Sequence, residues 1–194
     1  FAADEVCLGN PSSFTDLSFI SNGNIISWNW NFGDGGTSAS QNLSHAFLNA
    51  GTYSVTLIVT SNNGCSNSLS MNVTVHAPPL ADFCVSPSQQ PIANPVFNFC
   101  DQWSNDVVQW TWNFGDGDTI TFNTDPVHSY SAQVTENDFY SFTICLNVLN
   151  QYGCWDSICK PVEIIPEFTF YIPNAFTPNG DWDNEFFFGK ARGV

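Results

Sequence analysis

The stretch "NWNFGDGG" at residues 29–36 returns as "TWNFGDGD" at residues 111–118, and the six letters "WNFGDG" are identical at an offset of 82 residues. A phrase that recurs at fixed offset marks an internal repeat, and each repeat is read as one structural unit. Its first half alternates: in "IISWNWNF" (25–32) Ile26, Trp28, Trp30 and Phe32 are separated by polar residues or small ones. Period-two alternation predicts a half-buried strand. The second half is a turn, since Gly33, Asp34 and Gly35, like Gly115, Asp116 and Gly117, tolerate positive φ at little cost.

Outward from this phrase the same order is found twice. A strand-like segment "NPSSFTDLSF" (10–19) precedes the first copy of the phrase. "HAFLNAG" and the strand "TYSVTLIVT" follow it, with Tyr53, Val55, Leu57 and Val59 on one face. After the turn "SNNGC", "LSMNVTV" puts Leu69, Met71, Val73 and Val75 on one face, which predicts an antiparallel hairpin. The second copy runs "PVFNF", "VVQWTWNF", "GDGD", "HSY", "YSFTICLNVL", "YGC", "SICKPVEI", with Tyr140, Phe142, Ile144, Leu146 and Val148 directed inward. "HAPPLAD" (76–82) reads as an extended, proline-rich linker. No helical spacing is sustained. The fold class is therefore all-β: two Ig-like sandwiches of about 80 residues in tandem, at 1–77 and 78–166, then the first strands of a third β domain at 167–194.

Composition narrows the function. Of 194 residues 43% are hydrophobic and only 11% charged, with 3 basic residues against 18 acidic and a net charge of -15. Such a balance repels phosphate backbones and anionic membranes, which excludes nucleic acid as a partner class and leaves a surface attractive to divalent cations. No apolar run approaches the roughly 20 residues that span a bilayer, so no direct membrane insertion is expected. Seven cysteines without a C-x-x-C pair predict disulfides in an oxidising compartment, buried free thiols being the alternative. The absence of a signal peptide and the start at Phe1 suggest a mature fragment of an exported chain.

At "WNWNFGDGG…HAF…AGTYSVTLIVT…GC" the sequence resembles the PKD domain, an Ig-like seven-stranded sandwich whose signature is a Trp-x-Phe-Gly-Asp-Gly turn. The resemblance covers roughly residues 3–76 and 80–165. Asn31 and Asn113 stand where the family usually has Asp, and Phe47 replaces the usual Tyr. The tail "FYIPNAFTPNGDWDNEFFF" (170–188) resembles the start of the C-terminal sorting domain of Bacteroidetes gliding-motility-associated surface proteins. Trp182 replaces its usual Gly and Glu185 its usual Asp. The two resemblances together imply an adhesin-like protein at the cell surface, associated with the outer membrane. PKD modules would serve as spacers, and the tail would be read by the type IX secretion machinery.

The candidate sites follow. Within the motif Trp30, Phe32, Gly33, Asp34 and Gly35, with Trp112, Phe114, Gly115, Asp116 and Gly117, are expected to be architectural: the Asp caps backbone N–H groups and shapes the turn. "GDG" lacks the lysine and following helix of a phosphate cradle. His45 and His128 have no nucleophile motif around them and are assigned to the sheet edge, so no catalytic residue is expected. Trp30 and Trp112 are assigned to the core, as are Trp28 and Trp110, a sugar-stacking platform being the alternative. "NGDWDNE" places Asn179, Asp181, Asp183 and Glu185 at every second residue, the spacing by which loops wrap a hard cation, and calcium is the candidate cofactor. The repeat suggests the disulfides Cys7–Cys65 and Cys84–Cys154, and Cys145–Cys159 across a hairpin. Cys100 is left as a buried thiol or an alternative partner of Cys145. "DTI" (118–120) and "DSI" (156–158) resemble the Bacteroidetes O-glycosylation acceptor at Thr119 and Ser157. The rival to the adhesin is a substrate-binding accessory region of a secreted polysaccharide- or protein-degrading enzyme.

Overall fold

The computed structural model describes residues 1–102, 106–130, 139–167, 169–171 and 190–192, with side chains through residue 167. Every regular element among them is a strand, and no helix is long and apolar enough to cross a membrane. The chain divides into two compact units, Phe1–Pro79 with Leu149–Asp156, and Leu80–Val148 with Ser157–Val194.

In the first unit the strands are β1 (Ala2–Ala3), β2 (Val6–Cys7), β3 (Ser12–Thr15), β4 (Ile25–Asn31), β5 (Thr37–Ser38), β6 (Leu43–His45), β7 (Gly51–Ser61) and β8 (Ser66–His76). They form two sheets, β1-β3-β6 and β2-β8-β7-β4-β5. Phe14 from the smaller sheet and Trp30, Val55, Leu57, Val73 and Val75 from the larger fill the core between them. This is the sandwich that the alternation predicts, because each sheet has one apolar face to bury.

The second unit repeats it with β9 (Phe83–Ser86), β10 (Gln89–Pro91), β11 (Val96–Asp101), β12 (Val107–Asn113), β13 (Thr119–Thr121), β14 (Val127–Ser129), β15 (Tyr140–Asn150) and β16 (Trp155–Ile165). The sheets are β14-β11-β9 and β10-β16-β15-β12-β13, strand for strand the order of the first unit. Phe83, Phe97, Phe99, Trp112, Tyr130, Ile144 and Leu146 are among its buried core. A separate pair, β17 (Thr169–Tyr171) and β18 (Lys190–Arg192), runs antiparallel.

Two expected faces are only partly buried. Ile26 is exposed because the β4–β7 register shifts between Ile25 and Ser27, which takes Ile26 out of the alternation. Leu69 and Met71 are also exposed, so only the Val73–Val75 end of β8 reaches the core.

Two of the three expected disulfides are different. Cys7 pairs with Cys154, Cys84 with Cys100, and Cys145 with Cys159, at Cα separations of 5.5, 5.2 and 4.1 Å. The expected Cys7–Cys65 bridge fails on distance. Cys7 lies beside His76 at the far end of β8, whereas Cys65 precedes its first residue, Ser66. Ten residues of strand separate those ends by about 33 Å, far beyond the reach of a disulfide. Cys84–Cys154 fails because β9 pairs with β11 and sets Cys84 directly opposite Cys100. That register also gives Cys100 its partner. Cys154 instead sits in the turn between β15 and β16, whose segment Leu149–Asp156 clusters with the first unit, and there it meets Cys7.

Candidate functional site

The recurring phrase builds the same device twice. Trp30 and Trp112 are fully buried, and their indole N–H groups donate to the carbonyls of Ser40 at 2.8 Å and Asn123 at 2.7 Å. A buried indole needs such a partner. One residue further, Asn31 Oδ1 accepts from Gly33 N, and Asn113 Oδ1 from Gly115 N, both at 2.9 Å. An Asn therefore suffices at this place: the turn requires an acceptor, not a charge.

Asp34 and Asp116 then lock the turns. Asp34 Oδ1 accepts from Gly36 N at 2.8 Å and its Oδ2 lies 2.7 Å from His45 Nε2. Asp116 Oδ1 accepts from Asp118 N at 3.0 Å, with Oδ2 again 2.7 Å from His128 Nε2. The imidazoles stack on the motif phenylalanines, His45 on Phe32 at 3.9 Å and His128 on Phe114 at 4.1 Å. Each latch therefore ties the β4–β5 or β12–β13 turn to the neighbouring β6 or β14 strand. In the second unit Tyr130 OH also donates to Phe114 O at 2.8 Å. Burial and the Asp116 carboxylate push that phenol above the ordinary tyrosine range, keeping it a donor. Phe47, in the matching place, has no such hydroxyl, and stacks on Tyr53 at 4.1 Å as Tyr130 stacks on Phe142 at 4.1 Å.

Burial by itself would raise the Asp34 and Asp116 carboxyls. The hydrogen bonds from His45 and His128, and from the backbone of Gly36 and Asp118, outweigh it, so both lie below the ordinary aspartate value. A depressed aspartate contributes stability that is present above its unfolded pKa, near 4, and is lost as pH falls through the folded value. Asp116→Asn should therefore flatten the acid limb of the stability–pH profile below about pH 4, measured by denaturant midpoints across pH. An acid limb unchanged in that variant would contradict the role given to the carboxylate.

Gly33 and Gly115 are set by a close approach. At φ of +79° and +82°, an added Cβ would lie 2.8 Å from Ser54 O and 2.7 Å from Thr143 O. Gly115→Ala should destabilise its unit by about 1–3 kcal/mol, read from its thermal midpoint.

The remaining candidates separate cleanly. Trp28 and Trp110 are half-buried, and their N–H groups bind Asp16 Oδ2 at 2.7 Å and Asp101 Oδ2 at 2.8 Å. Asp118 joins Asp116 and His128 as three groups with ligand atoms within 4.8 Å of one another, and Asp116 Oδ2 and His128 Nε2 are hydrogen-bonded to each other at 2.7 Å. Ser12 lies opposite His45 in the β3–β6 register, buried, yet its Oγ has no hydrogen-bond partner among the described residues. Ser12, His45 and Asp34 thus form no proton relay, since that requires a nucleophile–base hydrogen bond. The sequence pattern does not pair His45 with Asp34. The only signal was that both recur, and that His128 also follows its aspartate by about a dozen residues. Thr119 and Ser157 are both exposed on strands. Asn179, Asp181, Asp183 and Glu185, the calcium candidates, lie outside the described residues.

The fold and its latched turns define an Ig-like β-sandwich, built twice along the chain. Residues 1–75 match the family model described as the PKD domain. The collagenase ColA of Bacillus cereus is 43% identical over 58 residues, 30% of this chain and 6% of the collagenase. The pre-pro-metalloprotease PrtV of Vibrio cholerae is 41% identical over 63 residues, 32% of this chain and 7% of the protease. The chain thus spans well under a tenth of the length of either relative. Among solved structures, the PKD1 domain of Vibrio anguillarum Epp is 29% identical, covers 40% of this chain and 90% of its own, and has a TM-score of 0.38.

Proposed function

We propose that this chain is a non-catalytic region of an exported protein, with its two sandwiches acting as rigid spacers. One observation carries the reading: the signature residues are spent on the fold. Both oxygens of Asp34 and of Asp116 are engaged within their own unit, and Trp30 and Trp112 are buried with their N–H groups bonded. Three disulfides support an oxidising, extracellular setting.

The finer reading is an adhesin-like surface protein whose tail, residues 167–194, opens a sorting domain for type IX secretion and outer-membrane attachment, with a role in gliding. The tail motif quoted above supports it. The test is export of a reporter carrying the complete C-terminal domain, against one carrying residues 1–166. Export with the sandwiches alone would place the signal elsewhere, and unchanged export after Asp181→Ala with Asp183→Ala would remove the acidic loop and its calcium from the mechanism.

A second reading, the accessory region of a secreted protease, is favoured by the two protease relatives. Strong retention of residues 1–166 on collagen, cellulose or chitin would select it over the adhesin.

A further inference from the structure

Cys65 is exposed, and it is the one cysteine of the seven without a disulfide. Its turn is a copy of the turn that carries Cys154. Ser61 N donates to Cys65 O at 2.8 Å, as Asn150 N donates to Cys154 O at 2.9 Å. Gly64 N donates to Ser61 O at 2.9 Å, as Gly153 N does to Asn150 O at 3.1 Å. The two glycines have φ of +81° and +80°. The cysteine N–H in each is held by the side chain four residues back, Ser61 Oγ or Asn150 Oδ1. Cys65 therefore occupies in the first copy the position that Cys154 occupies in the second.

Cys154 is bonded to Cys7, on the short strand β2 that runs parallel to the end of β8. The turn cysteine of one copy is thus joined to the β2 strand of the copy preceding it in the chain. No described residue offers Cys65 the same partner. Pro91 stands where Cys7 does: Cys7 is in register with His76, the last residue of β8, and Pro91 with Ile165, the last of β16. The other five cysteines that might receive it are already paired, as is Cys7 itself.

We propose that Cys65 forms a disulfide with a sandwich module lying N-terminal to Phe1 in the same chain, at a cysteine on that module's β2-equivalent strand. The inference rests on the reading of the sandwiches as tandem spacers, and makes the joint between successive modules covalent. In forming the bond the two thiols lose two protons and two electrons, accepted by the disulfide of a thiol–disulfide oxidoreductase. Because Pro91 lacks the thiol, the relation runs upstream from Cys65 and ends at the second copy.

The test is non-reducing peptide mapping of the whole mature protein recovered from culture, acid-quenched and alkylated before digestion. The expected result is a Cys65 peptide linked to a peptide N-terminal to Phe1. Cys65 recovered as an alkylated thiol, joined to Cys65 of a second copy, or capped by a small thiol would each overturn the proposal. So would a gene with no upstream module bearing that cysteine. The Cys65→Ser variant should expose one new alkylatable thiol upstream while the Cys7–Cys154, Cys84–Cys100 and Cys145–Cys159 peptides stay linked; no new thiol would overturn it too. A failure here leaves the spacer reading standing, since that reading is decided by the export and retention experiments.

Discussion

Replacing Trp112 with alanine should cost the second unit about 3–5 kcal/mol, the range for truncating a buried aromatic. Trp112 is 0% exposed and sits at the meeting of both sheets, with Phe83 at 5.2 Å and Phe99 at 5.7 Å between ring centroids. Truncation leaves a cavity that these rings cannot close without leaving their rotamers. It also strands the Asn123 carbonyl that accepts the indole N–H. Trp30→Ala should act on the first unit in the same way, through Phe1, Phe14 and the Ser40 carbonyl. Denaturant melts followed by circular dichroism measure both. A melting midpoint that barely moved while binding to a polysaccharide disappeared would return these tryptophans to the surface-platform reading.

Removing the Cys7–Cys154 bridge by paired alanine substitutions should cost up to about 5 kcal/mol by the chain-entropy relation. The reason is loop length. This bridge joins residues 147 apart in sequence, whereas Cys84–Cys100 and Cys145–Cys159 close separations of 16 and 14, for which the same relation gives about 3 kcal/mol each. Among the described residues, the contacts beside it include Tyr152 stacked on His76 at 3.9 Å and Asn150 Nδ2 donating to Ala77 O at 3.1 Å. Covalent closure should add to these contacts in attaching residues 149–156 to the first unit. Equal midpoint shifts for the long and the short bridges would show that strain or residual structure, not loop entropy, sets their worth.

Much of the fold was legible because it depends on short-range pattern. Alternation at Trp28, Trp30 and Phe32 and at Val55 and Leu57 specifies a strand with one buried face wherever the other face is polar. Two copies of one phrase forced a tandem arrangement. The Gly-Asp-Gly turn was equally local, since Asn31 and Asp34 reach backbone N–H groups only two residues away. The exposure of Ile26 was not legible, as one irregular residue in the pairing with β7 reverses a face without any mark in the pattern itself.

The disulfides divide along the same line. Sequence by itself determined that cysteines would be oxidised and that Cys145 and Cys159, flanking one tight hairpin, would come into register. It also determined the all-β class and the alternation that buries Trp30 and Trp112. Only the tertiary structure decided that Cys84 meets Cys100, that Cys7 meets Cys154, and that Asp34 and Asp116 are held by His45 and His128. Each of these depends on which strand lies beside which and at which end. Strand order is fixed by the burial of two whole sheet faces against each other, a sum over the core that no single spacing in the chain records.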